Sequence, residues 1–385
     1  DAFCDKDELY AELDIDNKND FLEAVSRFVT DENKLSLHNS KIRDLEEKYH
    51  KLLYAKKEKE EQIKKLYAQN PEMRKILGDT PFEVKNVMKN WVRSKDERFH
   101  MIPTDTLYIP IDKKAVLRSG IVIPHEYRDT MPEYMVISLK GRDRLFRADL
   151  MLLEMLAEAN WERPLYMSRT VGSENYLSSL SDFFVTEGLA HRITPFNWKK
   201  LGYGSQYETI IDSDKMYDNV MNRFKFGGIA ENPDYYLDET TSRMVYTHRM
   251  LFASLAERLY IEDRNKEALE VLERAEQVMP GSIVPHKSDL GAVSMADTYI
   301  KLGKKDKAME IINASTGDLL EYLNWCASLS GRKYSAVSSD FAFNLRLLNM
   351  TIDVLKDGGA EYKEEVNRYE SEFNKYYNIL RSRRS

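Results

Sequence analysis

A chain of 385 residues, 42% hydrophobic and 31% charged, has the composition of an ordinary globular protein and the length for two or three domains. Its formal net charge of -7, without a dense basic patch, argues against a nucleic-acid partner. No apolar run approaches the ~20 residues that a membrane-spanning helix needs, so these residues predict no transmembrane segment.

Residues 1–40 predict an N-terminal segment with one short helix. An acidic run near its start resembles a calcium loop, but the positions that need Gly and Glu hold Asn19 and Val25. The better interpretation is a helix that Asp20 caps, with Glu23 completing the capping box.

Residues 41–98 predict a helical hairpin that projects from the body of the protein. Its first helix is long and mostly solvated, because Lys56 and Lys59 interrupt the apolar seam that a coiled coil requires. Its second helix has Thr80 as N-cap and Glu83 completing a capping box. One apolar stripe follows on this helix: Val84, Val87, Met88 and Trp91.

Residues 99–239 predict a small α/β domain. A strand at 134–139, a helix at 146–159 and a second strand after Pro164 have the order and length of a βαβ unit. Such a unit pairs its two strands in parallel through a right-handed crossover. We therefore expect a small sheet with one parallel pair.

The stretch 161–196 holds the candidate ligand-binding residues. It predicts strands at 165–171 and 189–194 with a polar loop between them. Polar and aromatic side chains near strand ends suit a sugar or a glycan-bearing peptide. The candidates are Tyr166, Arg169, Asn175, Tyr176 and Arg192. Alternatively, Tyr176 and Arg192 only tie the loop to the sheet.

The same stretch contains a candidate catalytic pair of carboxylates, Glu187 and Asp182. Arg169 and Arg192 flank them in the sequence, and two carboxylates close in space are the groups that glycoside hydrolysis uses. The alternative is a structural ion-pair network, which we favour because such networks also perturb carboxylates.

Neither a metal site nor a cofactor is predicted. The seven histidines show none of the close spacings that place two ligands on one metal, and Cys4 and Cys326 lie at opposite ends of the chain. Phosphate-binding and nucleophile motifs are also missing from the sequence.

Three motifs carry a family resemblance: W-E-R-P-L-Y from Trp161, V-G-x-x-N-Y ending at Tyr176, and E-G-L-A-x-R-I-x-P from Glu187. Over about residues 134–302 the chain resembles the soluble C-terminal region of a Bacteroidetes family of multi-pass membrane proteins of unknown function. That family in turn resembles protein O-mannosyltransferases of the dolichol-sugar type. The resemblance implies that the acidic residues for sugar transfer lie in a membrane half outside this sequence.

Residues 240–385 predict an α-helical repeat domain. A tetratricopeptide-like template from Arg249 places small and large apolar residues at the expected positions, and a second, weaker copy starts at Asp289. The helices that follow would supply the next layer and the cap, because repeat units bury their faces only against neighbours. The alternative is generic helical packing.

Such repeats present first-helix residues on a concave face, which suits an extended peptide. The residues predicted to line this groove are His248, Met250, Ser254, Ser294 and Thr298.

The sequence thus predicts an α+β fold, predominantly α: a small α/β body with a projecting helical hairpin, followed by a helical repeat region. We expect a non-catalytic, extracytoplasmic (periplasmic) part of a polytopic glycosyltransferase-like membrane protein, tethered through its own N-terminal membrane domain. Its partner would be a polypeptide or a glycan-bearing acceptor. The alternative is a soluble carbohydrate-active enzyme with a carboxylate pair in the α/β domain.

Overall fold

The computed structural model describes a chain that is α+β and predominantly helical, as the sequence predicts. The described residues are 82–93, 102, 104–142, 144–172, 175–203, 210–232 and 236–383, with Glu61 and Lys65. The N-terminal segment and its capped helix lie outside these ranges, as does the first helix of the predicted hairpin apart from Glu61 and Lys65.

Two compact units make up the chain. The first comprises the described residues up to Arg163 together with Tyr176–Leu180, and the second comprises Pro164–Asn175 and the described residues from Ser181 onwards. The sequence predicts segments over residues 1–40, 41–98, 99–239 and 240–385, and the division into two compact units falls near Pro164. The residues after Pro164 pair with strands that come later in the chain, which places them in the second unit.

The first unit is built on a two-stranded antiparallel sheet of β1 (Thr106–Pro110) and β2 (Tyr134–Ser138). Side chains alternate between the two faces along each strand, and those that face inward are buried: Leu107, Ile109, Met135 and Ile137. Helix α2 (Lys113–Arg118) begins at Asp112, whose carboxylate accepts from two backbone N–H groups of the first turn. Helix α3 (Arg147–Ala159) packs on β1.

The described part of the predicted hairpin packs into the first unit. Helix α1 (Val84–Val87) continues as a π-helical turn over Met88–Val92. Val84, Val87 and Met88 are buried, and α1 lies against β1 and α3. The expectation that this helix projects is therefore wrong for these residues, because its apolar stripe is wide enough to need a partner surface.

The second unit contains a three-stranded antiparallel sheet in the order β3 (Tyr166–Ser168), β5 (Ala190–Ile193), β4 (Phe184–Thr186). The predicted βαβ unit is wrong, since β2 and β3 belong to different sheets and neither pairs in parallel. Asn160 and Trp161, which follow α3, adopt left-handed backbone conformations with φ of 46° and 63°.

Helices fill the rest of the second unit. After α4 (Ser213–Asp218), two helix pairs follow: α5 (Glu239–Ile261) with α6 (Asn265–Val278), and α7 (Val293–Lys301) with α8 (Lys305–Ser328). Helices α9 (Gly331–Asp357) and α10 (Lys363–Ser382) pack against each other beyond them. The apolar template positions of the first pair are buried: Phe252, Leu255, Ala256, Leu259, Ala268, Leu272 and Ala275. Within the described part of the chain, no helix is both long and apolar enough to cross a membrane.

The connection between α6 and α7 is held by a buried arginine on α5. The guanidinium of Arg249 donates to the carbonyl oxygen of Pro285 at 2.9 Å and to that of Met279 at 2.7 Å. The hydroxyl of Tyr246 donates to the same Pro285 oxygen. The connection between the two helix pairs is thus tied to α5.

Candidate functional site

The carboxylate of Glu187 is the centre of a buried polar cluster in the second unit. Glu187 lies in the turn between β4 and β5, and its side chain is 8% exposed. Oε2 accepts from the Tyr166 hydroxyl at 2.7 Å. Oε1 accepts from Lys215 Nζ at 2.8 Å and from Arg192 Nη1 at 3.4 Å. We call Tyr166, Glu187, Arg192, Asp212, Lys215 and Asn219 the Glu187 cluster.

The strand register brings the first members of this cluster together. Tyr166 on β3 lies directly opposite Arg192 on β5, and Val185 on β4 lies opposite Arg192 from the other side. Because side chains alternate along a strand, Tyr166 and Arg192 share a face of the sheet with the residue that follows β4, Glu187.

A segment from later in the chain supplies the remaining members. Thr186, the last residue of β4, pairs in parallel with Ile211. Thr186 N donates to Ile210 O at 2.7 Å, and Asp212 N donates to Thr186 O at 3.0 Å. Asp212 then caps α4 through Lys215 N. Consequently the Lys215 ammonium lies between two carboxylates, at 2.8 Å from Glu187 and 3.2 Å from Asp212.

The turn that carries Glu187 is itself fixed. Asn219 Nδ2 donates to the Glu187 carbonyl oxygen at 2.6 Å. Gly188 follows with φ of 145°, and a Cβ there would lie 3.0 Å from the Phe224 ring. Glycine is required at this position because the left-handed backbone and the close ring both disfavour a side chain.

The charges of the cluster balance, with two carboxylates facing one guanidinium and one ammonium. Burial raises the pKa of Tyr166 to about 12, and the hydrogen bond to Glu187 contributes to this rise. The phenol is therefore a neutral donor at physiological pH. The Glu187 carboxylate accepts from three donors, and these hydrogen bonds link β3, β5 and α4.

The opposite face of the same sheet carries Arg169 and His191. Thr186 Oγ1 lies 2.9 Å from His191 Nδ1, and the imidazole stacks on the Phe184 ring at 5.5 Å. Burial, with a smaller contribution from the Arg169 guanidinium, lowers the pKa of His191 to about 4. Burial also lowers the pKa of Arg169. Among the residues that the structure describes, no carboxylate pairs with Arg169.

The structure separates the five predicted ligand-binding residues. Tyr166 and Arg192 meet on Glu187, whereas Arg169 lies on the other face of the sheet. Asn175 is exposed, and Tyr176 belongs to the first unit, where its carbonyl oxygen accepts from Arg142 at 3.4 Å. Of the five, Tyr166 and Arg192 share one described partner, Glu187.

The two candidate catalytic carboxylates, Glu187 and Asp182, have different hydrogen-bond partners. Asp182 accepts from Asn197 Nδ2 at 3.5 Å, and it is not among the side-chain partners of Glu187 in the described chain. The carboxylate that shares a cation with Glu187 is Asp212. Asp212, which the sequence does not predict, enters the cluster because the parallel pairing of Thr186 with Ile211 brings in a distant segment.

Sequence reasoning missed Asp212, Lys215 and Asn219. The run D-S-D-K from Asp212 contains a helix N-cap signal, which could have located α4. No local pattern indicates that this helix start pairs with residue 186, since the contact joins segments far apart in the sequence.

The predicted peptide-groove residues have different environments. Met250 is 37% exposed and Ser294 is exposed, whereas His248 contacts the rings of Phe224 and Phe226. Ser254 donates to the Met250 carbonyl oxygen. Thr298 is 1% exposed and therefore lines no open groove. Its hydroxyl is satisfied by the Ser294 carbonyl oxygen, which permits its burial.

No group of three or more His, Cys, Asp or Glu side chains in the described ranges could hold a metal ion. A small surface cavity of about 160 Å³ in the first unit is lined by Ala115, Arg118, Ser119 and Glu162. Arg118 and Glu162 form an exposed ion pair there at 3.4 Å. A shallow polar cavity of this kind offers little apolar surface to a small ligand.

Residues 28–215 match the family described as TMEM260-associated domain 2. The matched range includes every member of the Glu187 cluster except Asn219. No curated protein and no solved structure matches the chain significantly. The family match is compatible with a domain that is associated with a membrane protein.

Proposed function

We propose that the chain is the non-catalytic, polypeptide-binding part of a larger membrane-tethered protein of the glycosyltransferase type, on the extracytoplasmic side. The observation that carries the proposal is the match of residues 28–215 to a TMEM260-associated domain. The matched range contains the motifs from Trp161 to Pro195 that resemble the soluble region of O-mannosyltransferase-like membrane proteins.

The Glu187 cluster supports a non-catalytic role. A general acid or nucleophile of a glycosidase must exchange a proton or attack the sugar, so its carboxylate has to be accessible. Glu187 is 7% exposed and already accepts from three donors. Freeing this carboxylate would remove the contacts that join β3, β5 and α4.

The helix pairs support a binding role. Stacked helical pairs of the tetratricopeptide type present the exposed side of their first helices as one extended surface. Here α5 and α7 contact each other and carry the exposed residues Met250 and Ser294. A surface of this kind suits an acceptor polypeptide better than a small sugar.

Two measurements on the whole chain test this proposal. The first is turnover of a dolichyl-phosphate-linked mannose and of nitrophenyl mannosides, for which we expect none above the buffer rate. The second is selection of peptides from a display library, for which we expect enriched sequences that bind reversibly. Glu187→Gln removes the candidate catalytic carboxylate. The surface variant Arg243→Gln is the matched control for the effect of a substitution elsewhere.

Turnover that disappears in Glu187→Gln but persists in Arg243→Gln would instead establish the carbohydrate-active enzyme. A library that yields no binding peptide would overturn the polypeptide-binding role.

A further inference from the structure

Strand β3 leaves one edge of the second unit's sheet open. Two backbone hydrogen bonds join the ends of β3 to β5. Ile193 N donates to Leu165 O at 3.0 Å, and Arg169 N donates to Leu189 O at 3.3 Å. In an antiparallel pair bonded and non-bonded residues alternate, so Met167 also faces β5, whereas the residues on either side of it direct their backbone groups the other way. Tyr166 and Ser168 therefore point N–H groups outward.

These outward groups have no strand partner among the described residues. Val171 N donates to Ser168 O at 3.1 Å, which occupies that carbonyl. The N–H and C=O of Tyr166 and the N–H of Ser168 remain for a further strand. Tyr166 is 47% exposed, so the edge is reachable from solvent.

An unmatched positive group lies beside this edge. The guanidinium of Arg169, directly after β3, is partly buried and has no carboxylate partner in the described chain. His191 lies on the same face, diagonal to Arg169, and Thr186 engages its Nδ1 atom. A desolvated cation without a counter-charge favours an incoming anion.

We infer that an extended peptide segment with an acidic side chain adds to the open edge of β3 as a fourth strand, with its carboxylate on Arg169. The inference rests on the proposed polypeptide-binding function and specifies the chemistry of the peptide. Backbone pairing with Tyr166 and Ser168 supplies the affinity, and the charge pair fixes the register.

The outward backbone groups of β3 and the Arg169 guanidinium together favour a peptide over a free anion. A small anion satisfies Arg169 but leaves the edge N–H groups unpaired. In an added strand, the residues that bond Tyr166 have side chains on the Tyr166 face, and their neighbours have side chains on the Arg169 face. One peptide in extended conformation can therefore serve both features at once.

The test uses a fluorescein-labelled peptide of alternating valine and threonine with a central glutamate, titrated against the whole chain by anisotropy. Replacing the glutamate by glutamine should weaken binding about tenfold, since a charge-assisted bond is lost. N-methylation of the two residues that flank the glutamate should abolish binding, whereas N-methylation of the glutamate itself should leave it unchanged, because that amide points away from β3.

Two variants test the protein side. Ser168→Pro removes an outward N–H without touching the β5 ladder, and edge strands tolerate proline at such positions. It should weaken binding of the glutamate peptide about tenfold, whereas Ser168→Ala, which loses only the hydroxyl, should bind normally. Arg169→Gln should bind the glutamate and glutamine peptides equally. Circular dichroism of each variant verifies that it is folded.

Equal binding of the glutamate and glutamine peptides to the unaltered chain would overturn the carboxylate contact. Undiminished binding of the peptide methylated on both flanks, or full competition by acetate, would overturn the strand addition. Library-selected peptides that bind Ser168→Pro and Arg169→Gln normally would refute this inference while the proposed function stands. Failure of every peptide would refute both.

Discussion

At the scale of single residues, Arg192 is the side chain whose interpretation depends most on burial. The sequence leaves two roles open for it, a ligand contact and a tie between loop and sheet. Arg192 is 4% exposed and donates to the equally buried Glu187. A ligand could reach this guanidinium only by displacing the carboxylate, so the structural role is favoured.

We therefore expect Arg192→Met to lower the free energy of unfolding by about 3 kcal/mol, because it leaves part of the charge of Glu187 buried and uncompensated. The matched control is Arg243→Met, which removes a pair whose side chains are 77% and 80% exposed. Such a pair contributes less than about 1 kcal/mol. Urea unfolding followed by circular dichroism measures both. Equal effects of the two substitutions would contradict the assignment of a buried ion pair.

His191 gives a prediction about pH. Its pKa in the folded protein is about 4, lowered mainly by burial, whereas an unfolded histidine titrates near its ordinary value of ~6.5. Between these values the unfolded chain binds a proton that the folded chain does not. Stability should therefore be complete above about pH 6.5 and should fall as the pH drops towards about 4.

The measurement is the free energy of unfolding across this pH range, compared between the unaltered protein and His191→Gln. The variant should lose part of the pH dependence. Arg169→Met should raise the pKa of His191, observed through its imidazole resonances, because a nearby positive charge is removed. The distant Arg243→Met should leave those resonances unchanged.

At the scale of elements, the connection before α7 depends on one glycine. Gly291 has φ of 96°, and a Cβ built there would lie 3.3 Å from the Cα atom of Met250 on α5. The connection approaches α5 closely at this point, and a residue without a side chain is needed for both the backbone conformation and the contact.

Gly291→Ala should therefore destabilise the protein by about 2 kcal/mol, through backbone strain and separation of the two helices. Gly317, in the interior of α8, is the matched control, since a Cβ there meets nothing within 4 Å. Gly317→Ala should stabilise by about 1 kcal/mol, because alanine has the higher helix propensity. Thermal unfolding of both variants distinguishes the opposite signs, and a stabilising Gly291→Ala would refute the close-packing argument.

The observed strands and helices show which elements a local sequence pattern can predict. Strands β3 and β5 lie inside the predicted ranges 165–171 and 189–194, because β-formers bounded by Pro and Gly are a local signal. The helices after residue 240 follow from apolar periodicity in the same way. Strand β4 was missed, since a three-residue strand in a buried run has no period to detect.

Local sequence patterns do not predict which strands pair with each other. A strand–helix–strand order fits both a parallel crossover and two separate sheets, and the structure has two separate sheets. The left-handed turn at Asn160 and Trp161 lies between them in the chain. Asparagine adopts left-handed backbone readily, but tryptophan gives no such signal. The Glu187 cluster was half predicted for the same reason: Tyr166, Glu187 and Arg192 are neighbours in the motif region, whereas Asp212 and Lys215 enter through a long-range pairing.

At the scale of the whole molecule, each of the two compact units contains fully buried apolar side chains. One hydrophobic cluster draws on residues of the second unit, from Met216 to Leu380. Met135, fully buried on β2, belongs to the first unit and lies outside that cluster. Units with their own cores are expected to unfold as separate cooperative transitions.

We therefore expect differential scanning calorimetry to resolve two transitions that respond to different substitutions. Phe252→Ala, in the core of the second unit, should remove about 4 kcal/mol from one transition, and Met135→Ala should remove about 3 kcal/mol from the other. Each variant serves as the control for the other, since both delete a fully buried side chain. A single transition that both substitutions shift, each in proportion to its own loss, would show that the two units fold as one cooperative body, because only a shared transition can register both cavities.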